Sequence, residues 1–254
     1  MSLLTVENLS IQFGGLKAVD RVSFAVEPGE IYTIIGPNGA GKTTVFNLIS
    51  RIFAPSSGRV VFEGHELTRE PPHKVVRRGI ARTFQNIELF EHATVLQNLL
   101  LGRYRRRGTR LWEEMLFLPH VRRIERAHRE KVEEIIEFLD LQPHRDSAVG
   151  SLAYGVRKVV ELGRALATEP KLLLLDEPAS GLNPEETEDL AFWIDDIKND
   201  LGITVLMVEH DLSLVNEVSD RVLVMNQGQV LTEGTPEEVQ RNPRVIEAYL
   251  GSAP

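Results

Sequence analysis

Residues 31–44 read IYTIIGPNGAGKTT and are the most informative segment of the chain. Its first five residues form a short, largely apolar run of the kind that makes a buried β-strand. Apolar residues then recur at helical spacing over residues 45–49. Between the two, residues 36–43 match the spacing G-x-x-x-x-G-K-[ST]. The stretch therefore predicts a strand, a glycine-rich loop and a helix in that order, which is the context that a phosphate-binding loop requires.

The predicted loop has the chemistry of a nucleotide phosphate site. Glycines let consecutive backbone N–H groups surround phosphate oxygens, and the following helix presents unpaired amides and the positive end of its dipole to the same anion. We expect Lys42 to reach the β- and γ-phosphates, Thr43 to offer its hydroxyl to Mg²⁺, and Thr44 to assist at the α-phosphate. An ordinary glycine turn before a helix is the alternative. The residues predicted to bind the nucleotide are Gly36, Pro37, Asn38, Gly39, Ala40, Gly41, Lys42, Thr43 and Thr44.

Two acidic residues and a histidine follow predicted strands. The apolar run Leu172–Leu175 leads to Asp176 and Glu177, and the run Ile203–Val208 leads to His210. Because the carboxyl ends of parallel strands meet at one edge of a sheet, we expect these side chains beside the phosphate loop. We predict that Asp176 holds the Mg²⁺ shell, that Glu177 activates the water attacking the γ-phosphorus, and that His210 contacts the γ-phosphate and this water. Ordinary strand ends and helix caps are the alternative.

The chain alternates between β-rich and helical segments. Short β-type runs broken by glycines over residues 3–24 predict antiparallel strands, and strand–helix alternation after residue 150 predicts a parallel sheet. The segment between them is helical in pattern and rich in charge. We therefore predict one α/β domain of 254 residues, with a helical lobe inserted into its core. The predicted core is residues 1–85 and 151–254, and the predicted lobe is residues 86–150.

Composition limits the partners and the compartment. The formal net charge of −8 argues against nonspecific binding to nucleic acid. The chain has no cysteine, which rules out disulfides, thiolate metal sites and thiol redox chemistry. The longest apolar runs, such as Val205–Val208, fall far short of the roughly 18 residues needed to cross a bilayer. The first ten residues have neither a basic start nor a sustained apolar stretch, so we expect the chain to remain in the cytoplasm.

In the order and type of its motifs the chain resembles the ATPase subunits of ABC transporters over essentially its whole length. The resemblance implies a P-loop NTPase fold with a RecA-like parallel-sheet core, an N-terminal antiparallel β subdomain and an inserted α-helical subdomain. It also implies ATP and Mg²⁺ as cofactors. Gln85, in the segment RTFQN, matches a glutamine that contacts Mg²⁺ and senses the membrane partner. Phe13, in IQFGG, stands where the family has an aromatic residue that stacks on adenine, with a core strand aromatic as the alternative.

The signature segment of the family is altered in this chain. Residues 152–156 read LAYGV where the family usually has LSGGQ. In the family this segment crosses a dimer interface, and its serine hydroxyl and helix-end amides bind the γ-phosphate of the partner's nucleotide. The resemblance therefore implies that Ala153 and Gly155 face the partner's ATP, although Ala153 supplies no hydroxyl.

The complete set of motifs, including the unusual LAYG, is similar to the ATPase subunits of branched-chain amino acid importers. Related cassettes serve the import of urea or short amides and the export of lipopolysaccharide, so these cargoes stay open. A soluble ABC ATPase acting on ribosomes or damaged DNA is a further alternative. Such proteins usually carry two cassettes or a coiled-coil arm, whereas this chain has one cassette and no long heptad insertion.

The resemblance also implies partners. We expect a second ABC ATPase subunit, either a different chain or another copy, transmembrane permease subunits and, indirectly, a periplasmic or extracellular binding protein; nucleic acid is not expected. The chain then lies peripherally on the inner face of the cell membrane. Arginines within residues 103–110 and 122–126 either face anionic headgroups or acidic permease loops, or form a solvated surface.

Overall fold

The chain forms two compact units in the computed structural model. The first consists of Met1–Arg82 together with Lys171–Pro254, and the second of Thr83–Pro170. Within the part of the chain that the structure describes, no helix combines the length and the apolar composition needed to cross a membrane. The described residues are 2–83, 87–104, 113 and 119–250.

Strands lie in the first unit and helices in both. The strands are β1 (Leu4–Phe13), β2 (Leu16–Val26), β3 (Ile31–Ile35), β4 (Ser57–Phe62), β5 (His65–Glu66), β6 (Ile80–Arg82), β7 (Leu172–Asp176), β8 (Thr204–Val208), β9 (Arg221–Asn226) and β10 (Gln229–Gly234). The helices, in chain order, are α1 (Lys42–Ile49), α2 (Pro72–Arg77), α3 (Val95–Arg103), α4 (Pro119–Phe138), α5 (Tyr154–Leu166), α6 (Pro184–Asn199), α7 (Leu212–Val218), α8 (Pro236–Gln240) and α9 (Pro243–Leu250). Helices α3, α4 and α5 belong to the second unit.

The central sheet of the first unit has six strands in the order β10–β9–β3–β8–β7–β6. All neighbours are parallel except β10 and β9. Every residue of β3, β7 and β8 is buried, as expected for parallel strands covered on both faces. Because these three strands run in the same direction, the segments that follow them leave the sheet at one edge.

A second sheet in the first unit is antiparallel, with the strand order β2–β1–β4–β5. Strand β1 turns into β2 at Gly14, whose φ of 56° lies in the left-handed region that glycine adopts most readily. Leu4, Val6 and Leu9 of β1 belong to the same buried cluster as Phe46 of α1. The antiparallel β subdomain predicted from the sequence is therefore confirmed, and its core is continuous with that of the phosphate-loop helix.

The helical unit extends further along the chain than the predicted lobe. The sequence places the lobe at residues 86–150, whereas the second unit runs to Pro170 and includes α5. Helix α5 packs against α3 and α4. At Gly163 of α5, a Cβ would lie 3.3 Å from Cδ2 of Leu99 and 3.1 Å from Cδ1 of Leu139. The missing side chain thus permits the close approach that joins α5 to this unit.

Arg103 corrects the expectation of a surface arginine cluster over residues 103–110. Its side chain is buried within the second unit. The Nε atom donates to Nδ1 of His128 at 3.1 Å, and Nη1 donates to the Ala167 carbonyl at 3.0 Å and lies 2.9 Å from the Glu169 carboxylate. Arg103 therefore holds the helices of this unit together instead of facing solvent or a membrane. The rest of the cluster, residues 105–110, lies outside the described residues.

Candidate functional site

The loop between β3 and α1 is pressed against two other backbone segments of the first unit. Helix α1 begins directly after Gly41, whose φ is 97°. A Cβ on Gly36 would collide with the carbonyl oxygen of Met225, and a Cβ on Gly41 with that of Ala18. Both glycines also have positive φ values. Glycine is thus required at these two positions by steric contact as well as by backbone conformation.

Lys42 is a buried cation at the centre of the loop. Its side chain is only 6% exposed, and Nζ donates to the carbonyl oxygens of Gly36 at 2.7 Å and Pro37 at 3.2 Å. Burial lowers the pKa of Lys42, and the nearby carboxylates of Glu177, Glu209 and Asp176 oppose that shift. The fold therefore gathers three acidic side chains around one ammonium group, which is a suitable surrounding for a polyphosphate with its divalent cation.

An open cleft of about 680 Å³ lies over the loop. Residues 38–44 and Glu177 line it, which brings the predicted phosphate loop and the predicted catalytic carboxylate to one cavity. Four further lining residues were not singled out by the sequence analysis. They are Leu16, Lys17, Ala18 and Gln227.

Long-range backbone hydrogen bonds explain why those four residues could not be predicted from local sequence. The N–H of Gly228, in the turn between β9 and β10, donates to the carbonyl of Ala40 at 3.0 Å. The N–H of Asp20 in β2 donates to the carbonyl of Gly228 at 2.8 Å. These bonds hold both segments beside the loop, although one is encoded almost two hundred residues away from it.

Glu177 occupies a strained position at the end of β7. Its φ of 48° lies in the left-handed region, which few residues other than glycine adopt, and such strain is common at functional sites. Its backbone N–H donates to the carbonyl of Val208 at 2.9 Å, tying the ends of β7 and β8 together. Its Oε2 atom lies 4.0 Å from Nδ1 of His210. The predicted base and the predicted histidine are therefore neighbours at the same sheet edge.

Asp176 and Thr43 have the chemistry that Mg²⁺ prefers, since both offer hard oxygen atoms. Asp176 is buried at the end of β7, and its Oδ2 accepts a hydrogen bond from Nη2 of Arg82 at 2.7 Å. Among the described residues, no group of three or more His, Cys, Asp and Glu side chains could hold a metal ion. Mg²⁺ usually keeps several waters and binds one or two protein oxygens together with substrate phosphates. Gln85, the remaining predicted ligand, lies outside the described residues.

Phe13 is a surface residue at the end of β1. It pairs in register with Leu16 of β2, which lines the cleft. The side chain is 45% exposed, so it is not a core aromatic. Its ring meets that of Phe53 edge to face, with centroids 5.3 Å apart and an interplanar angle of 71°. Stacking of Phe13 on adenine stays a prediction, and its exposure next to the cleft is compatible with it.

The altered signature forms the start of helix α5 in the second unit. Ala153 is the N-cap and makes no side-chain capping bond, and the helix begins at Tyr154. Serine is among the preferred N-cap residues because its oxygen accepts a bond from a first-turn amide, which alanine cannot do. Gly155 is buried within the first turn. Contact of Ala153 and Gly155 with a partner's ATP stays a prediction.

Comparison with protein families agrees with this fold and site. A family model described as "ABC transporter" matches residues 19–180, and a model described as "Branched-chain amino acid ATP-binding cassette transporter" matches residues 229–254. The first match covers more than half of the chain and includes the phosphate loop and both acids. The chain therefore belongs to the ABC transporter family, as an ATP-binding cassette that hydrolyses ATP.

Individual relatives match along almost the whole chain. The high-affinity branched-chain amino acid transport ATP-binding protein BraF of Pseudomonas aeruginosa is 43% identical over 251 residues, covering 99% of this chain and 98% of the relative. The corresponding protein LivG of Escherichia coli is 41% identical with the same coverage. A solved ATP-binding cassette of an ABC transporter in its ADP conformation is 37% identical, with a TM-score of 0.86 and coverage of 99% and 100%. The predicted ABC ATPase fold is confirmed.

Proposed function

We propose that this chain is the ATP-hydrolysing subunit that powers an importer of branched-chain amino acids. The observation that carries the ATPase part is the cleft in which Lys42 lies among three carboxylates beside a glycine loop. The cargo class is supported by the names of the relatives above and by the family match over residues 229–254. Urea, short amides and lipopolysaccharide are the competing cargoes.

In this proposal each predicted site residue has one task. The backbone N–H groups of the loop residues 36–44 other than Pro37, together with the ammonium of Lys42, bind the phosphates, and Phe13 stacks on adenine. Glu177 accepts a proton from the attacking water, and His210 orients that water at the γ-phosphate. Asp176, Thr43 and Gln85 would hold Mg²⁺, which would supply charge neutralisation for the phosphates.

The proposal includes a second ATPase subunit and membrane partners. Two cassettes enclose two ATP molecules, and each site is completed by the signature segment of the other subunit, here Ala153 and Gly155. Closure of the pair moves the transmembrane permease subunits, and hydrolysis reopens it. The chain works on the cytoplasmic face of the cell membrane, and a periplasmic or extracellular binding protein delivers the cargo from the other side.

Reconstitution tests the cargo. Proteoliposomes containing this chain, its second ATPase subunit and its permease subunits are expected to hydrolyse ATP several-fold faster when the binding protein carries leucine. The free binding protein, and the same protein offered urea, serve as controls. Stimulation by urea and not by leucine would assign the chain to the competing class of importer, and hydrolysis indifferent to any cargo would overturn the transport proposal.

The signature segment predicts that the chain is a poor homodimer. Both sites of a homodimer would contain Ala153 and lack one hydrogen bond to a charged phosphate, worth about 1.5–3 kcal/mol each. Over two sites, the equilibrium constant for ATP-driven dimer closure is lowered by a factor of about 10² or more. We therefore expect sedimentation in the presence of ATP to find a monomer. We expect ATPase assays on the same chain alone to find low activity.

The matched variant for this prediction is Ala153→Ser, which restores the hydroxyl. It is expected to increase ATP-dependent self-association, and addition of the second cassette to the wild-type chain is expected to raise turnover. A tight and fully active wild-type homodimer would instead show that the amides around Gly155 are sufficient and that a different partner chain is not needed.

A further inference from the structure

Arg82, the last residue of β6, carries a buried charge whose task the ATPase proposal leaves unassigned. Its side chain is 8% exposed, and its Nη2 donates to Oδ2 of Asp176 at 2.7 Å. The Asp176 side chain is 2% exposed. Charges that are removed from water to this degree persist when they are paired in good geometry, so each of these two groups holds the other in place.

The same guanidinium also forms hydrogen bonds with α1, the helix that follows the phosphate loop. Its Nη1 donates to Oδ1 of Asn47 and to Oγ of Ser50, both at 2.8 Å. Its central carbon lies 5.6 Å from the centroid of the Phe46 ring. Asn47 lies within α1 and Ser50 is its C-cap. Arg82 thus spans from β7 to α1 with one planar group.

This bridge joins the two elements that carry the predicted ligands of the divalent cation. Asp176 ends β7, and Thr43 lies in the first turn of α1. A carboxylate that is fixed through one oxygen has few orientations left for the other, and the separation of β7 and α1 sets the distance between the two ligands. Partners that orient metal ligands in this way commonly account for about 10- to 100-fold in metal affinity.

We propose that Arg82 is a positioning residue for the divalent cation of the nucleotide site. It orients Asp176 through the Nη2–Oδ2 bond and holds α1 at a fixed distance through Asn47 and Ser50. The inference rests on the assignment of Asp176 to that cation, which belongs to the proposed function. Charge and geometry make opposite predictions. If charge dominates, removal of the positive Arg82 leaves the Asp176 carboxylate to attract the cation more strongly. If geometry dominates, loss of the bridge weakens binding of the cation.

Mn²⁺ serves as the probe, measured by electron paramagnetic resonance on the full chain with a non-hydrolysable ATP analogue. For Arg82→Gln we expect the dissociation constant of Mn²⁺ to rise about 10- to 100-fold. Arg82→Lys keeps the charge but loses the planar fork, so it is expected to weaken Mn²⁺ binding as well. The affinity of the analogue without divalent cation is expected to stay within about twofold, because the phosphate-binding residues 36–44 are not substituted and the bridge concerns their distance from Asp176.

A second variant keeps the test informative if loss of the buried arginine prevents folding. Asn47→Ala removes one anchor of the guanidinium and leaves its pair with Asp176 intact, and we expect a threefold to tenfold rise, roughly, in the Mn²⁺ dissociation constant. Arg59→Gln is the control, because Arg59 forms an exposed pair with Glu7 at 2.8 Å in the same unit. It is expected to leave Mn²⁺ binding unchanged.

Three results would overturn the proposal. Tighter Mn²⁺ binding by Arg82→Gln would mean that charge outweighs positioning. Wild-type Mn²⁺ affinity in both single variants, Arg82→Lys and Asn47→Ala, would mean that the geometry of the bridge is irrelevant. Both leave the metal site itself intact. If the wild-type chain binds the analogue but no Mn²⁺ with it, the assignment of Asp176 fails first and the role of Arg82 falls with it.

Discussion

Glu177→Gln is expected to leave Mg·ATP bound while lowering the rate of hydrolysis by about 10²- to 10⁴-fold. Glutamine keeps the shape of the side chain but cannot accept a proton from the attacking water. The carboxylate lines the cleft over the phosphate loop, and its Oε2 lies 4.0 Å from Nδ1 of His210. Both positions agree with a base acting at the γ-phosphate.

Steady-state phosphate release and equilibrium ATP binding, measured on the same preparation together with the second cassette, separate the two effects. The control is Glu185→Gln, the same change at an exposed residue in the first turn of α6, which is expected to hydrolyse ATP at the wild-type rate. If Glu177→Gln retained near-normal turnover, the catalytic role would pass to another group, and Glu209, which is also near Lys42, would be the first to test.

Lys42→Ala is expected to weaken ATP binding by about 10- to 100-fold and to abolish measurable turnover, since a hydrogen bond to a charged group is worth about 1.5–3 kcal/mol. The loss goes beyond the missing contact. Asp176, Glu177 and Glu209 all act on the Lys42 ammonium, and without it their charges repel the phosphates that enter the cleft.

Calorimetric titration with ATP measures this effect. Lys17→Ala is the matched control, because Lys17 lines the same cleft, is 62% exposed and pairs with Asp20 at 3.5 Å. A charge in that position is screened by water, and we expect its removal to change the affinity by less than threefold, roughly. Equal effects of the two substitutions would mean that Lys42 contributes only general positive charge, and the phosphate loop would then have been misidentified.

The phosphate loop is encoded locally in the sequence. Part of its geometry is set within a few residues, by the bond from Nζ of Lys42 to the carbonyl of Gly36 and by the positive φ of Gly41. Local contacts of this kind leave a spaced pattern in the sequence, so residues 36–44 could be predicted. The buried strands that end at Asp176 and Val208 were predictable for a similar reason, because a compact apolar run bounded by polar residues specifies them.

The distant residues that contact these local motifs are brought there by tertiary packing. Arg82 reaches Asp176 because β6 is the neighbour of β7 in the sheet. The order of strands in a sheet cannot be predicted from the local sequence of each strand. Gln227 enters the cleft through a turn whose next residue, Gly228, donates a long-range hydrogen bond to the loop carbonyl of Ala40. The sequence around Arg103 indicates a surface charge, but packing of the helical unit buries it against His128 and Glu169. In each case the partner comes from an element that is distant in sequence, so only the packing of the folded chain brings the two groups together.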